Sequence, residues 1–373
     1  MFYNVQFRGI ADFNSSQFND DAYFNVSEFR DVVDFSRSEF RGDTNFFKGQ
    51  FRDGCNFYKG RFNNADFRYV EFQKIISFNS ATFGEVEFDM VSFKGSVTFE
   101  ETCFLESTSF HNSIFYDYSN FEKAEFYGET NFKHALFKEW TYFRTAVFNK
   151  KTTFAGAISK ETILIEDTNL SNLTLAETNI ESFKFVECTW PELKDRQVIC
   201  DEILNLEKEN NFLRLEEIYR RLKKISRDNN DEILASAWHY KEKEMLRKRL
   251  HHENKWTSPK TLFLRAINNI YWAISGYGEE PLRACVFLLL FIACPLLMAY
   301  QFGPFYKVIS NGEIINSNDH LVSCWLWYLP LTKITLDGAN ISDWNHFFKA
   351  AFNLLITIQA ALFAFALRNK LRR

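Results

Sequence analysis

The sequence predicts three parts in series: a four-sided β-solenoid filled with phenylalanine, a basic helical neck, and a C-terminal pair of membrane-spanning helices with a pore loop between them. Three observations carry this. From Phe2 to Phe154, 29 phenylalanines are spaced only five or six residues apart. A basic amphipathic stretch follows Pro191, and two apolar runs nearly free of charge close the chain. A length of 373 residues suits two or three domains.

The phenylalanine spacing matches neither the three-and-four period of a helix nor the two of a strand. Of the 28 gaps, sixteen are fives and twelve are sixes, mostly alternating, so the pattern repeats every 11 residues. The residue two before each Phe is always small or β-branched, from Val5, Ala11 and Ser16 to Thr152, with Ile76 the largest. A five-residue side with a large inward residue and a small one two back describes a tightly wound four-sided coil. Such coils stack through strand-like bonds about 4.8 Å apart, so about nine of them make a rod roughly 45 Å long. The sixth residue on alternate sides is expected to be absorbed as a bulge. One coil cannot bury its own face, so stacking supplies the core. After Phe154 the inward position is expected to pass to Leu164, Leu170, Leu175, Ile180, Phe185 and Trp190, until Pro191 stops the pattern.

Segments such as ATFGEVEF and AEFYGETNF resemble a Phe-rich form of the A(D/N)LXX pattern of the pentapeptide-repeat family, over residues 1–191. The resemblance implies a right-handed quadrilateral β-helix. Some members of that family mimic DNA and bind topoisomerase. Residues 1–190 carry 19 Lys+Arg against 28 Asp+Glu, a net of −9, which permits this. The basic residues are interspersed among the acids, which equally suits the solvated face of a rigid scaffold. The remainder of the chain is net +5.

The seven cysteines lack CxxC spacing and read as free thiols in a reducing compartment. The opening MFYNVQFRGIADF has neither a basic n-region nor an apolar core, so no signal peptide is expected and the first two-thirds read as cytosolic. There is no Gly-rich phosphate loop, HExxH or GxSxG, so neither enzymatic activity nor a cofactor is expected. His251 and His252 are adjacent without a third ligand at metal spacing, so no metal is expected.

In the neck, residues 192–260, Leu206, Phe212, Leu215, Ile218, Tyr219, Leu222 and Ile225 recur at helical spacing. The segment RDNND ends that helix, and Asp231 is placed to cap a second one reaching Arg249, giving an antiparallel hairpin. The first helix carries Arg214, Arg220, Arg221, Lys223, Lys224 and Arg227, and the second Arg247, Lys248 and Arg249. Two readings stand. The basic surface rests against anionic lipid, or its arginine forks hold a phosphate-bearing ligand such as a nucleotide or oligonucleotide.

Residues 261–373 read as membrane-embedded. The stretch 284–302 is uncharged and long enough to span a bilayer at about 1.5 Å per residue, with Pro295 expected to kink it. The second span, 347–367, contains only Lys349. Arg265 and Arg283 precede the first span, and Arg368, Lys370, Arg372 and Arg373 follow the second. Basic flanks place both ends in the cytoplasm of an inner membrane. Between them LVSCWLWYLPL, residues 321–331, is apolar but too short to span, and the polar TKITLDGANISDW follows. That is the layout of a pore helix and filter, since irregular backbone at membrane depth must line a cavity.

This region resembles the two-span pore module of the ion-channel superfamily. Together with the neck and SGYGEEPLRA, the chain is similar to bacterial proteins that join pentapeptide repeats to such a module, which implies a homotetramer. The filter position holds Thr332, Lys333, Thr335, Asp337 and Gly338, without a GYG carbonyl ladder. Gly276-Tyr277-Gly278 precedes the first span and belongs to the junction instead. Asp337, with Asp343, favours cations and Lys333 opposes them, so selectivity stays open. Ala350, Asn353, Thr357, Ala360 and Ala364 form a stripe that either lines the lower pore or packs helices closely.

The expected function is an oligomeric ion channel or pore gated by solenoid and neck. In its narrower form it is an antiviral-defence effector controlled by a nucleotide or oligonucleotide. The alternative is a membrane-anchored, non-conducting scaffold whose solenoid binds a protein partner.

Overall fold

The computed structural model describes residues 2–204, 211–252, 258–302, 309–310, 313–314, 321–330 and 343–371. They fall into two compact units, Met1–Arg221 and Leu222–Arg373.

In the first unit, two-residue strands recur at the phenylalanines and stack in parallel into four columns. One column runs from Gln6–Phe7 to Ile158–Ser159 and a second from Ala11–Asp12 to Phe183–Val186. The other two are joined into one sheet by the longer strands Glu39–Asn45 and Arg61–Asp66, which carry the chain round a corner. Phe7 pairs with Phe29, and Phe62 with Phe83, so each turn takes 22 or 21 residues and the β-solenoid has about eight turns. The bulges expected on alternate sides are not seen among the described strand pairs; one register shift occurs, where a six-residue side stacks on a five-residue side. Phe62 stands opposite Phe40 but Asn64 opposite Asp43, so the older turn carries the extra residue.

The five-residue sides are closed by a left-handed step. Asn4, Ser15, Val26, Arg37 and Lys48 have φ between 55° and 62°, and the series continues at every tenth or eleventh residue, two positions after a Phe. The next amide then bonds back to that Phe carbonyl, as Ser16 N does to Phe13 O at 3.0 Å and Thr102 N to Phe99 O at 3.1 Å. An L-residue in this conformation costs about 1–2 kcal/mol, so the stacked core over-determines each corner.

That core is a set of aromatic ladders. Every Phe from Phe24 to Phe154 in the register is buried. Phe99 stacks on Phe78 at 4.9 Å and on Phe121 at 4.8 Å, and meets Phe110 edge-on at 5.6 Å. Offset and edge contacts of this kind are the favoured aromatic geometries. The small positions leave room for the rings. On the sides with a left-handed corner their hydroxyls bond a Phe carbonyl one turn back, and elsewhere the carbonyl two residues earlier, as Thr130 Oγ1 does to Gly128 O at 3.4 Å. Ser38 Oγ donates to Phe13 O at 2.9 Å, and Thr102 Oγ1 to Phe78 O at 2.8 Å. The Thr44 hydroxyl is the exception, enclosed without a hydrogen-bond partner among the described residues.

One register expectation is corrected. Ile165, fully buried, stands opposite Phe143 and continues its ladder, while Leu164 stands opposite Tyr142. The 11-residue period holds from Phe154 to Ile165; the apolar run Ile163-Leu164-Ile165 hides which residue keeps it. The coil ends as expected at Trp190 and Pro191. An antiparallel pair, Glu192–Leu193 with Arg196–Gln197, and a short helix α1 (Cys200–Leu204) follow. Asp201 accepts bonds from Leu175 N at 2.7 Å and Ala176 N at 2.9 Å, closing the last turn. The first turns of α2 (Phe212–Asp228) bury Leu215, Ile218 and Tyr219, whose hydroxyl bonds Ile199 N and the Glu202 carboxylate. Leu206 lies outside the described residues.

In the second unit Asp231 caps α3 (Glu232–His252) as expected, its Oδ1 accepting from Leu234 N at 2.9 Å. A helix the sequence reading did not separate, α4 (Pro259–Ser275), comes next. Pro259 suits its first turn, and Gly276 ends it in the left-handed conformation at φ 54°. Then come α5 (Pro281–Phe302), α6 (Leu321–Tyr328) and α7 (Asp343–Leu371), with a small strand pair Ile309–Ser310 and Glu313–Ile314. Among the described residues one helix, His346–Leu371, is long and apolar enough to cross a membrane. The fully described part of α5, Pro281–Leu297, is apolar but shorter.

Candidate functional site at the junction of the second unit

The segment Gly276-Tyr277-Gly278 joins α4 to α5, and the second unit converges on it. Tyr277 is fully buried at φ 61°. Its ring meets Tyr240 of α3 at 5.4 Å and Tyr271 of α4 at 5.5 Å. Tyr271 Oη donates to Tyr277 O at 2.8 Å, and Ser275 Oγ accepts from Gly278 N at 3.1 Å. Burial raises both phenols, so neither ionises at neutral pH.

The last turns of α7 close on the same segment. Asn369 Nδ2 donates to Gly278 O and to Glu279 Oε1, each at 3.2 Å. Phe365 lies so near Gly278, itself at φ 79°, that a Cβ there would sit 2.7 Å from the ring. Two turns earlier Gln359, buried, donates to Ala284 O at 2.8 Å and Ile274 O at 3.2 Å. Glu279 is held by Ser236 Oγ of α3 as well. The sequence reading placed GYG at a junction but missed Gln359 and Asn369; an amide within an apolar run was the available signal.

Towards the other end of α5, Pro295 lacks the amide that would bond Phe291 O. Trp325 of α6 bonds the neighbouring carbonyl, its Nε1 donating to Ile292 O at 2.7 Å. Tyr328 of α6 meets Phe352 of α7 edge-on at 5.9 Å. The short apolar helix is therefore held between α5 and α7.

The expected site residues are distributed as follows. Thr332, Lys333, Thr335, Asp337 and Gly338 lie outside the described residues. On α7, Asn353 is half-buried with its Oδ1 enclosed, and Thr357 is exposed. Ala350, Ala360 and Ala364 are also exposed, so nothing described covers the stripe.

The basic residues do not gather in one place. Arg214 pairs with Glu177 at 2.8 Å, Arg220 with Glu216 at 2.7 Å, and Arg221 with Glu181, all in the first unit. In the second unit Lys223 pairs with Glu242, and Lys248 with Glu244 at 3.5 Å. Arg247 stacks over Trp272 at 4.1 Å, with Arg283 on the same ring at 5.5 Å. Arg249 has a partner, Lys224 is exposed, and Arg227 opens onto a cavity at the junction.

His239 lines that cavity. Burial, reinforced by Lys223 and Lys243, pushes its imidazole down to about 4, so the ring is neutral at pH 7. Among the described residues six cysteines are free thiols, and no cluster of His, Cys, Asp and Glu has metal-site geometry.

Comparison with known proteins finds no match among curated proteins. A family model for pentapeptide repeats, in nine copies, matches residues 2–50 and 110–158. The stretch between those matches contains the two sides, Phe62 to Phe67 and Phe83 to Phe88, that take five residues where the register has six. Repeat match, Phe ladders and four strand columns agree: the N-terminal part of this chain is a β-solenoid built of pentapeptide repeats.

Proposed function

We propose that the chain is one subunit of an oligomeric membrane ion channel or pore, with α5 and α7 spanning an inner membrane and α6 serving as the pore helix. Four subunits would surround the pore. The right-handed quadrilateral solenoid and the C-terminus would lie in the cytoplasm, and residues 331–342 would supply the filter. The observation that carries the reading is the seating of α6 between α5 and α7 through Trp325 and Tyr328. The polarity of the unit supports it. Leu282, Val286, Leu289 and Leu290 of α5 and Phe347, Leu354, Leu355 and Ile358 of α7 face outward, while Gln359 is buried. On α4 Phe263, Ile267 and Ile270 are exposed, while Arg265 and Asn268 are enclosed. Exposed apolar surface of this extent marks a membrane or a partner. Control by a nucleotide or oligonucleotide in antiviral defence is the narrower form of the proposal, and it rests on the basic neck.

A second reading, a non-conducting membrane-anchored scaffold, is favoured by the aromatics left exposed on the solenoid: Tyr116, Tyr118, Tyr127 and Trp140. Residues of this kind anchor protein partners. Ion flux from liposomes, comparing wild type with Asp337→Ala, with and without a nucleotide extract, separates the two. Flux that depends on Asp337 sinks the scaffold; silence from folded, oligomeric protein under every condition sinks the channel.

A further inference from the structure

Where the end of α7 meets the end of α2 and the start of α3, there is a cavity of about 130 Å³ lined by Arg227, Ser236, His239, Glu279, Arg368 and Asn369. That is room for a small ion with attendant water.

Formal charge does not select its occupant, because Glu232 also lines it and two arginines face two carboxylates. Hydrogen-bonding capacity does. Glu279 already accepts from Ser236 and Asn369, and Glu232 has a partner of its own. Arg227 and Arg368, by contrast, have no ion pair among the described residues; Arg368 only overlies the Phe365 ring at 4.9 Å. The Nδ1 of His239 has no hydrogen-bond partner among the described residues, but it lies 4.0 Å from Glu242 Oε2, outside the cavity lining. The unfilled capacity of the cavity is therefore mainly that of two guanidinium forks, both on exposed residues. Such a set calls for an acceptor-rich ligand.

We propose that this cavity binds a single phosphate-sized oxyanion, free or as the terminal phosphate of a larger molecule or lipid headgroup, between Arg227 and Arg368. Arg227 belongs to the basic neck, whereas Arg368 and Asn369 belong to the end of α7, so the ligand would bridge the two. This deepens the ligand-gated reading above and rests on it only for what binding does to conduction.

The test uses the full chain. In one arm, detergent-solubilised protein is titrated with inorganic phosphate by calorimetry. In the other, it is floated with phosphatidylcholine vesicles containing or lacking phosphatidic acid. A saturable phosphate site is expected, weakened about tenfold or more by Arg227→Gln and by Arg368→Gln, since each removes a charge-assisted bond. The paired Arg227→Lys and Arg368→Lys variants, which keep charge and lose the fork, should fall in between, and Lys160→Gln on the solenoid should change nothing. Arginine dependence in the titration alone identifies a free anion; in the flotation alone it identifies a headgroup. If neither arm responds to the two arginines in folded protein, the site is refuted, whatever the flux. Arginine-dependent binding with no change in flux would leave the site standing and remove its role in gating.

Discussion

Phe99→Ala tests the account of the solenoid core most directly. The Phe99 ring is fully buried, stacked on Phe78 and Phe121 at 4.9 and 4.8 Å and edge-on to Phe88 and Phe110 at 5.6 Å each. Removing a buried Phe costs about 3–5 kcal/mol. Each aromatic pair adds about 0.5–1.5 kcal/mol beyond burial, so the upper part of the range, about 4–5 kcal/mol, is expected. The rings above and below are fixed by strand pairing, so the cavity cannot collapse. In a stacked repeat each turn touches only its neighbours, so the loss should be local. The assay is hydrogen exchange by mass spectrometry on the full chain. Amides that bond between turns, such as Phe99 N to Asn120 O and Phe78 N to Thr98 O, report the loss. About 4 kcal/mol corresponds to exchange roughly a thousandfold faster there, with the terminal turns little changed. Acceleration below about tenfold would mean that the ladder can close over the gap, and the packing argument would fail.

Three further outcomes are expected. A Cβ at Gly84 would lie 1.9 Å from Asn63 O, whereas nothing lies within 4 Å at Gly9; in urea melts Gly84→Ala should cost about 2–3 kcal/mol and Gly9→Ala nothing. Val26, β-branched yet at φ 62°, should yield about 0.5–1 kcal/mol of added stability as Val26→Gly in the same melts, because glycine adopts that conformation without strain. His239 has its pKa lowered from 6.5 to about 4, so its contribution is complete above pH 6.5 and is lost as pH falls toward 4. The loss is about 3 kcal/mol. Thermal unfolding of the second unit should show this decline, and His239→Gln should flatten it.

The solenoid was legible because every residue in a stacked coil meets its counterpart one turn away, so one inward aromatic and one small neighbour recur along the chain. Its left-handed corners were not. Val26, Tyr69, Met90 and Thr145 have no preference for that backbone; the stack imposes it on whatever residue falls there. The Leu164 slip has a related cause, since Ile163, Leu164 and Ile165 are all apolar and alternation vanishes. In the second unit α4 was hidden by inverted polarity, with Arg265 and Asn268 inside and Phe263, Ile267 and Ile270 outside. The basic residues were visible as charges. Their partners were not, because Glu177 and Glu181 reach Arg214 and Arg221 only through the fold.

The amides of α7 connect these points. An amide in an apolar helix is costly to bury, and α7 commits the donor ends of two to one place, although Gln359 Oε1 is enclosed without a partner among the described residues. Gln359 bonds carbonyls on either side of the Gly276–Gly278 segment, in the last turn of α4 and near the start of α5. Asn369 bonds a carbonyl inside it. Sliding α7 by even one residue would strand both amides, so the helix has one position relative to the junction or must break these bonds together. Arg368 is the residue beside Asn369, and its guanidinium opens onto the cavity it shares with Arg227. An oxyanion held by both arginines would therefore stabilise the engaged position of α7. On this argument an occupied cavity and an engaged α7 would favour each other, and a shift of α7 would be read first at the Asn369 bonds.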